Sequence, residues 1–186
     1  MMHALSSIAH LLRVNPSLSI VLLLAMLVSA GCAHHPERQA AVAAVEGLYA
    51  ELAAHPVSGA PSTEGLNALS PWLGEELERL LADARAVHDL ERERAPAEKP
   101  PFNDGDLFSS LFEGPTVFDV GRASADGRTW RVPVAFTHVA SGGSTDWTDT
   151  VIVANEAGRW VVVDLIYGGD WDFAMRGSLA ANLRSG

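Results

Sequence analysis

Cysteine and positive charge are what this chain has least of. It holds one cysteine, Cys32, in 186 residues. A single thiol excludes an intrachain disulfide and a metal site built on several thiolates. Thirteen Lys and Arg stand against 23 Asp and Glu, for a formal charge of -10. That balance argues against non-specific binding to nucleic acid or to anionic lipid, because both need a basic surface. No apolar run reaches the roughly 20 residues of a comfortable membrane span. There is no G-x-S-x-G elbow, no P-loop, no H-E-x-x-H pair and no Rossmann glycine pattern. Any reaction would have to rest on a dispersed site.

What is present begins with Leu18 to Cys32, reading LSIVLLLAMLVSAGC. An apolar core of this length with small residues after it is the pattern of a secretory signal peptide. Ser29, Ala30 and Gly31 directly before Cys32 resemble a bacterial lipoprotein processing site. The resemblance implies cleavage before Cys32, a lipid on its sulfur and an acyl chain such as palmitate on the new amino terminus. Two or more such chains anchor a protein to a bilayer stably. Ala33 stands where an Asp favours the inner membrane in enteric-type sorting, so the same resemblance points to the periplasmic face of the outer membrane. The chain then divides into a signal peptide at 1–31, a lipidated tether at 32–38 and one domain at 39–186. The roughly 155 residues left after cleavage are one domain's worth. His34 and His35 sit on the tether, where two adjacent side chains make a poor metal cage.

Glu37 to Ala54 reads as a first helix, with Val42, Val45, Leu48, Tyr49 and Leu52 on one face. His55-Pro56 closes it. A helical turn is expected around Leu66. Ser70-Pro71 is expected to open a second main helix, with Ser70 as cap and Pro71 in the first turn. Leu73, Leu77, Leu80, Leu81, Ala84 and His88 form its apolar face. Glu75, Glu76 and Glu78 suit the positive end of the helix dipole. Asn103, Asp104, Gly105 and Asp106 suggest a tight turn. They match part of a calcium loop, but the bidentate Glu that would close it is missing.

From Pro115 the apolar period changes to two. Strands are expected at Thr116–Arg122, Arg128–Val139, Asp146–Ala154 and Arg159–Tyr167, with Asp126-Gly127 as the first hairpin turn. Trp130, Val132, Val134 and Phe136 line one face of the second strand, and His138 is next in that row. Pro133 predicts an edge position or a bulge. The fourth strand is apolar on both faces, which predicts a central place covered on both sides. Phe173 to Leu183 is expected to form a closing helix. The fold class is therefore α+β, with amino-terminal helices packed on a four-stranded antiparallel meander and a short carboxy-terminal helix.

Three stretches carry a second resemblance: residues 104–116 (DGDLFSSLFEGPT), 147–151 (WTDTV) and 160–167 (WVVVDLIY). Together they are similar to a group of bacterial envelope lipoproteins of unknown function. That group is related to the nuclear-transport-factor-2-like, or SnoaL-like, cone fold. The resemblance implies helices across a strongly curved sheet with a cavity or groove between them. Some members of the wider fold are enzymes and many only bind, so the fold does not carry a function with it.

Asp164 stands out among the ionisable residues. A carboxylate inside a run of Val, Leu and Ile must be paired, hydrogen-bonded or protonated. It is the candidate general base of a hydratase-like or isomerase-like pocket, with His138 as its possible companion. Tyr167 is odd in the alternation and Asp164 even, so a regular strand points them to opposite faces. Asp170, Trp171 and Asp172 follow a Gly pair and form a candidate partner-binding knob, since Trp is enriched at binding hot spots. No cofactor or metal is expected. The leading expectation is a non-catalytic lipoprotein of the cell envelope. It would contact the bilayer through acylated Cys32 and bind a protein partner or small ligand, as an inhibitor or immunity protein does. The competing expectation is the pocket enzyme acting through Asp164.

Overall fold

The computed structural model describes residues 36–185. The expected signal peptide, Cys32 and the tether up to residue 35 lie outside the described residues. In chain order the elements are α1 over residues 36–54, α2 Thr63–Leu69, α3 Glu75–Arg94, β1 Val117–Val120, β2 Ser124–Asp126, β3 Thr129–Ala140, β4 Gly143–Glu156, β5 Arg159–Ile166 and α4 Leu179–Ser185. The class is α+β with an antiparallel sheet, as expected. Residues 36–38, assigned to the tether from sequence, are already helical.

On α1 the buried residues are Ala41, Ala44, Val45, Leu48 and Tyr49, one stripe at three-four spacing. The second helical region differs from expectation. Ser70-Pro71 does not open a helix. Ser62 caps α2 by accepting from Gly65 N at 3.1 Å, and Ser70 ends it. The main helix α3 starts at Glu75, and its buried face holds Leu77, Leu80, Leu81, Ala84 and His88. Residues 72–74 are withheld from the helix because they serve the sheet. Gly74 N donates to Val162 O and Val162 N donates to Trp72 O, both at 2.8 Å. The cap of α3 comes from elsewhere in the fold: Glu75 N donates to Glu156 Oε2 at 3.0 Å.

The strand order is β1-β3-β4-β5, and β2 also pairs with β3. The first strand expected at Thr116–Arg122 is β1, shortened to Val117–Val120, and an unexpected short strand, β2, follows it on the same edge of β3. Pro133 explains the break. Its carbonyl accepts from Gly121 N at 2.8 Å, and a strand residue's nitrogen and oxygen point the same way. Its missing N–H therefore faces the gap between β1 and β2. The strand itself is interior rather than at an edge, and its neighbouring lane carries the irregularity. A Cβ on Gly121 would come within 2.9 Å of Pro133 Cγ, so the crossing there needs glycine.

The β2–β3 turn is Gly127-Arg128 rather than Asp126-Gly127, because Asp126 still pairs with Thr129. β5 is not central. It ends the strand order, yet its outer edge is covered by the bridges Leu73–Val162 and Ile166–Ser178 and by α4. Val161, Val162 and Leu165 of β5 are buried and its other residues are not, the strand packing against α3 and α4. The closing helix is shorter and later than expected, because residues 168–178 form a loop. Arg176 holds that loop by donating to Gly169 O at 2.6 Å and Trp171 O at 2.7 Å.

The core lies between the helices and one sheet face. Trp130, Val132, Val134 and Phe136 of β3 face Val153, Val151, Asp149 and Trp147 of β4 across the ladder. Seven of these eight side chains are aromatic or aliphatic, and all are buried. The eighth, Asp149, is where the functional question starts.

Candidate functional site

Asp149 is fully buried in the apolar face of the sheet. Its carboxylate accepts four hydrogen bonds. Oδ2 accepts from Ser110 N at 2.8 Å and from Trp147 Nε1 at 3.1 Å. Oδ1 accepts from Gly168 N at 2.8 Å and, in a short bond, from Ser110 Oγ. Buried carboxylates are tolerated when donors surround them in this way. The result joins three segments that are far apart in sequence: the loop at 107–111, β4, and the turn after β5.

The loop at 107–111 is buried throughout. A loop inside a core must satisfy its own backbone. Tyr49 donates its hydroxyl to Phe108 O and Tyr167 donates its hydroxyl to Leu107 O, each at 2.8 Å. Burial, reinforced by the negative charge of Asp106 and Asp149, raises both phenol pKa values well above the ordinary range. Both hydroxyls therefore stay neutral donors.

Asp106 sits at the entrance to this loop. Its Oδ1 accepts from Phe108 N at 2.6 Å and its Oδ2 from Ser109 Oγ at 2.9 Å. Burial pushes its pKa up to about 6, the charge of Asp149 adds to that, and the two hydrogen bonds oppose it. Among the described residues no Lys, Arg or His pairs with it.

Asp106 also lines a half-open groove of about 770 Å³. One wall is the last turn of α1 and the chain after it, including Tyr49, Leu52, Ala53 and Val57. The other wall is the stretch from Asp104 to Phe118. The two walls are stitched by Gly59 N to Gly105 O at 2.7 Å and Ala60 N to Phe102 O at 2.8 Å. Gly59 has a φ of 67°, and a Cβ there would meet Phe102 O at 2.2 Å, so only glycine allows this stitch. The volume falls in the range of small-molecule sites.

The residues singled out from sequence are elsewhere. Asp164 is half-buried and accepts from Leu165 N at 2.8 Å and from Ala180 N at 2.9 Å, so it holds the start of α4. Asp164 pairs with Ile152, which pairs with Arg131, and His138 lies seven residues further along β3. At strand rise, that separates Asp164 from His138 by roughly 20 Å. His138 Nδ1 lies 2.7 Å from Gly114 O, behind the groove wall. Trp171 packs edge-on to Trp147 at 5.8 Å and lies near Phe173 at 6.5 Å. Asp170 and Asp172 are exposed, and Phe173 is 80% exposed. Cys32 lies outside the described residues. Among the described residues no three His, Cys, Asp or Glu side chains converge as metal donors. Among them, too, no helix is long and apolar enough to cross a membrane.

Sequence reasoning passed over Asp149 and took Asp106 only as part of a turn matching an incomplete calcium loop. Asp149 had a usable signal: it shares the inward parity of Trp147, Val151 and Val153. Nothing local signalled the partial burial of Asp106, because Tyr49 and Tyr167 pin the loop that follows it. No protein-family model, curated protein or solved structure matches the chain.

Proposed function

We propose that this chain is a lipid-anchored protein of the cell envelope that binds a small ligand in the groove beneath α1 and performs no chemistry on it. The fold relation proposed with it is to the nuclear-transport-factor-2-like cone. Cys32 carries the lipid, and the outer membrane's periplasmic face is the proposed location. The observation that carries the binding reading is the groove of about 770 Å³, whose walls are mostly apolar, with three carboxylates and no His, Lys or Cys in the lining. The competing enzyme reading needs Asp164 in a pocket, with His138 as an optional companion, and neither lines this groove.

Native mass spectrometry of the full chain extracted from membranes tests the reading. The expected spectrum shows Cys32 acylated and a bound small molecule that Ala53→Trp displaces. Ala53 is exposed on the groove wall, so a Trp there fills space without disturbing the core. Equal occupancy in wild type and Ala53→Trp refutes groove binding. A protein partner lost with Trp171→Ala, but kept with Ala53→Trp, would move the function to the loop after β5.

A further inference from the structure

We infer that the groove selects an amphiphile carrying an ammonium head, with its apolar body along Leu52, Val57 and Phe118 and its head at the Asp106 carboxylate. This rests on the groove being a binding site and adds what it binds. Three observations point to a cation. The ionisable carboxylates lining the groove are Asp104, Asp106 and Glu113, and no cationic side chain lines it. Asp106 is half-buried, with two hydrogen-bond donors and, among the described residues, no Lys, Arg or His paired with it, so each of its oxygens keeps room for another donor. The rim already holds an ammonium: Lys99 Nζ lies 2.8 Å from Asp104 Oδ1 and 5.9 Å from the centre of the Phe112 ring. A carboxylate beside an aromatic face is a general recognition element for ammonium groups.

The site also has a built-in proton response. Ser109 Oγ lies 2.9 Å from Asp106 Oδ2 and 3.2 Å from Leu111 O, and it has one proton to give. When Asp106 is ionised, Ser109 donates to it. When Asp106 is protonated, Ser109 turns to Leu111 O and accepts from the acid. Neither state leaves an unsatisfied group. The groups facing Asp106 are Asp149 from β4, Tyr49 from α1 and Tyr167 after β5. Asp104 and Glu113 share the groove lining, and the nearby cation, Lys99, is held on Asp104 at the rim rather than on Asp106. Below pH about 6 the acid is neutral and attracts a cation weakly; above it, the charge is present and unpaired. Ammonium binding therefore strengthens from pH 5 to pH 7.5.

Octylammonium, octanol and octanoate share a tail and differ in charge. Their binding to the full-length chain is read by saturation-transfer NMR, with Ala53→Trp protein as the blank for partitioning. At pH 7.5 octylammonium is expected to bind at least about tenfold tighter than octanol, the worth of a charge-assisted hydrogen bond, and octanoate weakest. The preference should shrink about tenfold at pH 5 and vanish in Asp106→Asn. The wild-type pH series decides the point alone if Asp106→Asn does not fold. Equal binding of octanol and octylammonium at both pH values, displaced by Ala53→Trp, overturns the ammonium inference and leaves groove binding standing. Signals unchanged by Ala53→Trp overturn both.

Discussion

Asp149, fully buried, and Asp106, half-buried, are two carboxylates anchored to the same loop, and they differ in how completely the protein surrounds them. Asp149 accepts from four donors and is closed off. Asp106 accepts from two donors and opens onto a groove. The first has no capacity left for a ligand, and its work is to lock three segments together. The second keeps spare acceptor capacity, an altered proton affinity and access from outside. A residue type does not decide between structure and function; the count of donors around it does.

The strongest way to break this contrast is to remove Asp149. Asp149→Leu strands Ser110 N and Trp147 Nε1 in the core without an acceptor and leaves Gly168 N only the Ser110 hydroxyl at 3.1 Å. At about 1–3 kcal/mol for each stranded group, the loss should be about 4 kcal/mol or more in urea denaturation. A loss under about 1 kcal/mol would mean that the carboxylate is not the lock described.

Next in size is the pH response of Asp106. An acid whose folded pKa lies above its unfolded value weakens the fold as pH rises. Well below pH about 4 it is neutral in both states. Between about 4 and 6 only the unfolded chain ionises it, and above 6 the penalty is complete. The rise from 3.8 to about 6 corresponds to about 3 kcal/mol. From pH 4 to pH 7, wild type should therefore lose about 2 kcal/mol more than Asp106→Asn in denaturation at the two pH values, the rest being lost below pH 4. Parallel curves would remove Asp106 from the account.

The smallest effect sharpens the geometry. Gly114 has a φ of 74°, and a Cβ there would lie 2.9 Å from Asp106 Oδ2. Gly114→Ala should cost about 1–2 kcal/mol and push the Asp106 midpoint higher by crowding water away. Gly142→Ala, whose Cβ meets nothing within 4 Å, should change stability by less than about 0.5 kcal/mol. Thermal melts of the two variants side by side check this.

Much of the fold was legible in local pattern. The buried face of α3 and the two-residue alternation of β3 match their burial, and the stripe of α1 does so at Val45, Leu48 and Tyr49, with Val42 and Leu52 half-buried. These succeed because an apolar period depends on the element's own geometry. The misplaced pieces share another cause. The start of α3 moved because residues 72–74 bond to β5, and β5 became an edge because other segments cover it. Neither is a property of the segment read alone. The candidate site suffered the same way: Asp164 drew attention by standing in an apolar run, yet a helix start far along the chain absorbs it.

By itself, then, the sequence determined the class of the fold, the inward stripe of each long element and the acidic character of the surface. Composition and periodicity are enough for those, because each residue's partition between water and core is largely its own. Only the tertiary structure decided which carboxylates matter. Donor count, burial and access to a groove depend on groups brought together from α1, the 104–118 stretch, β4 and the turn after β5, and no window along the chain contains them all.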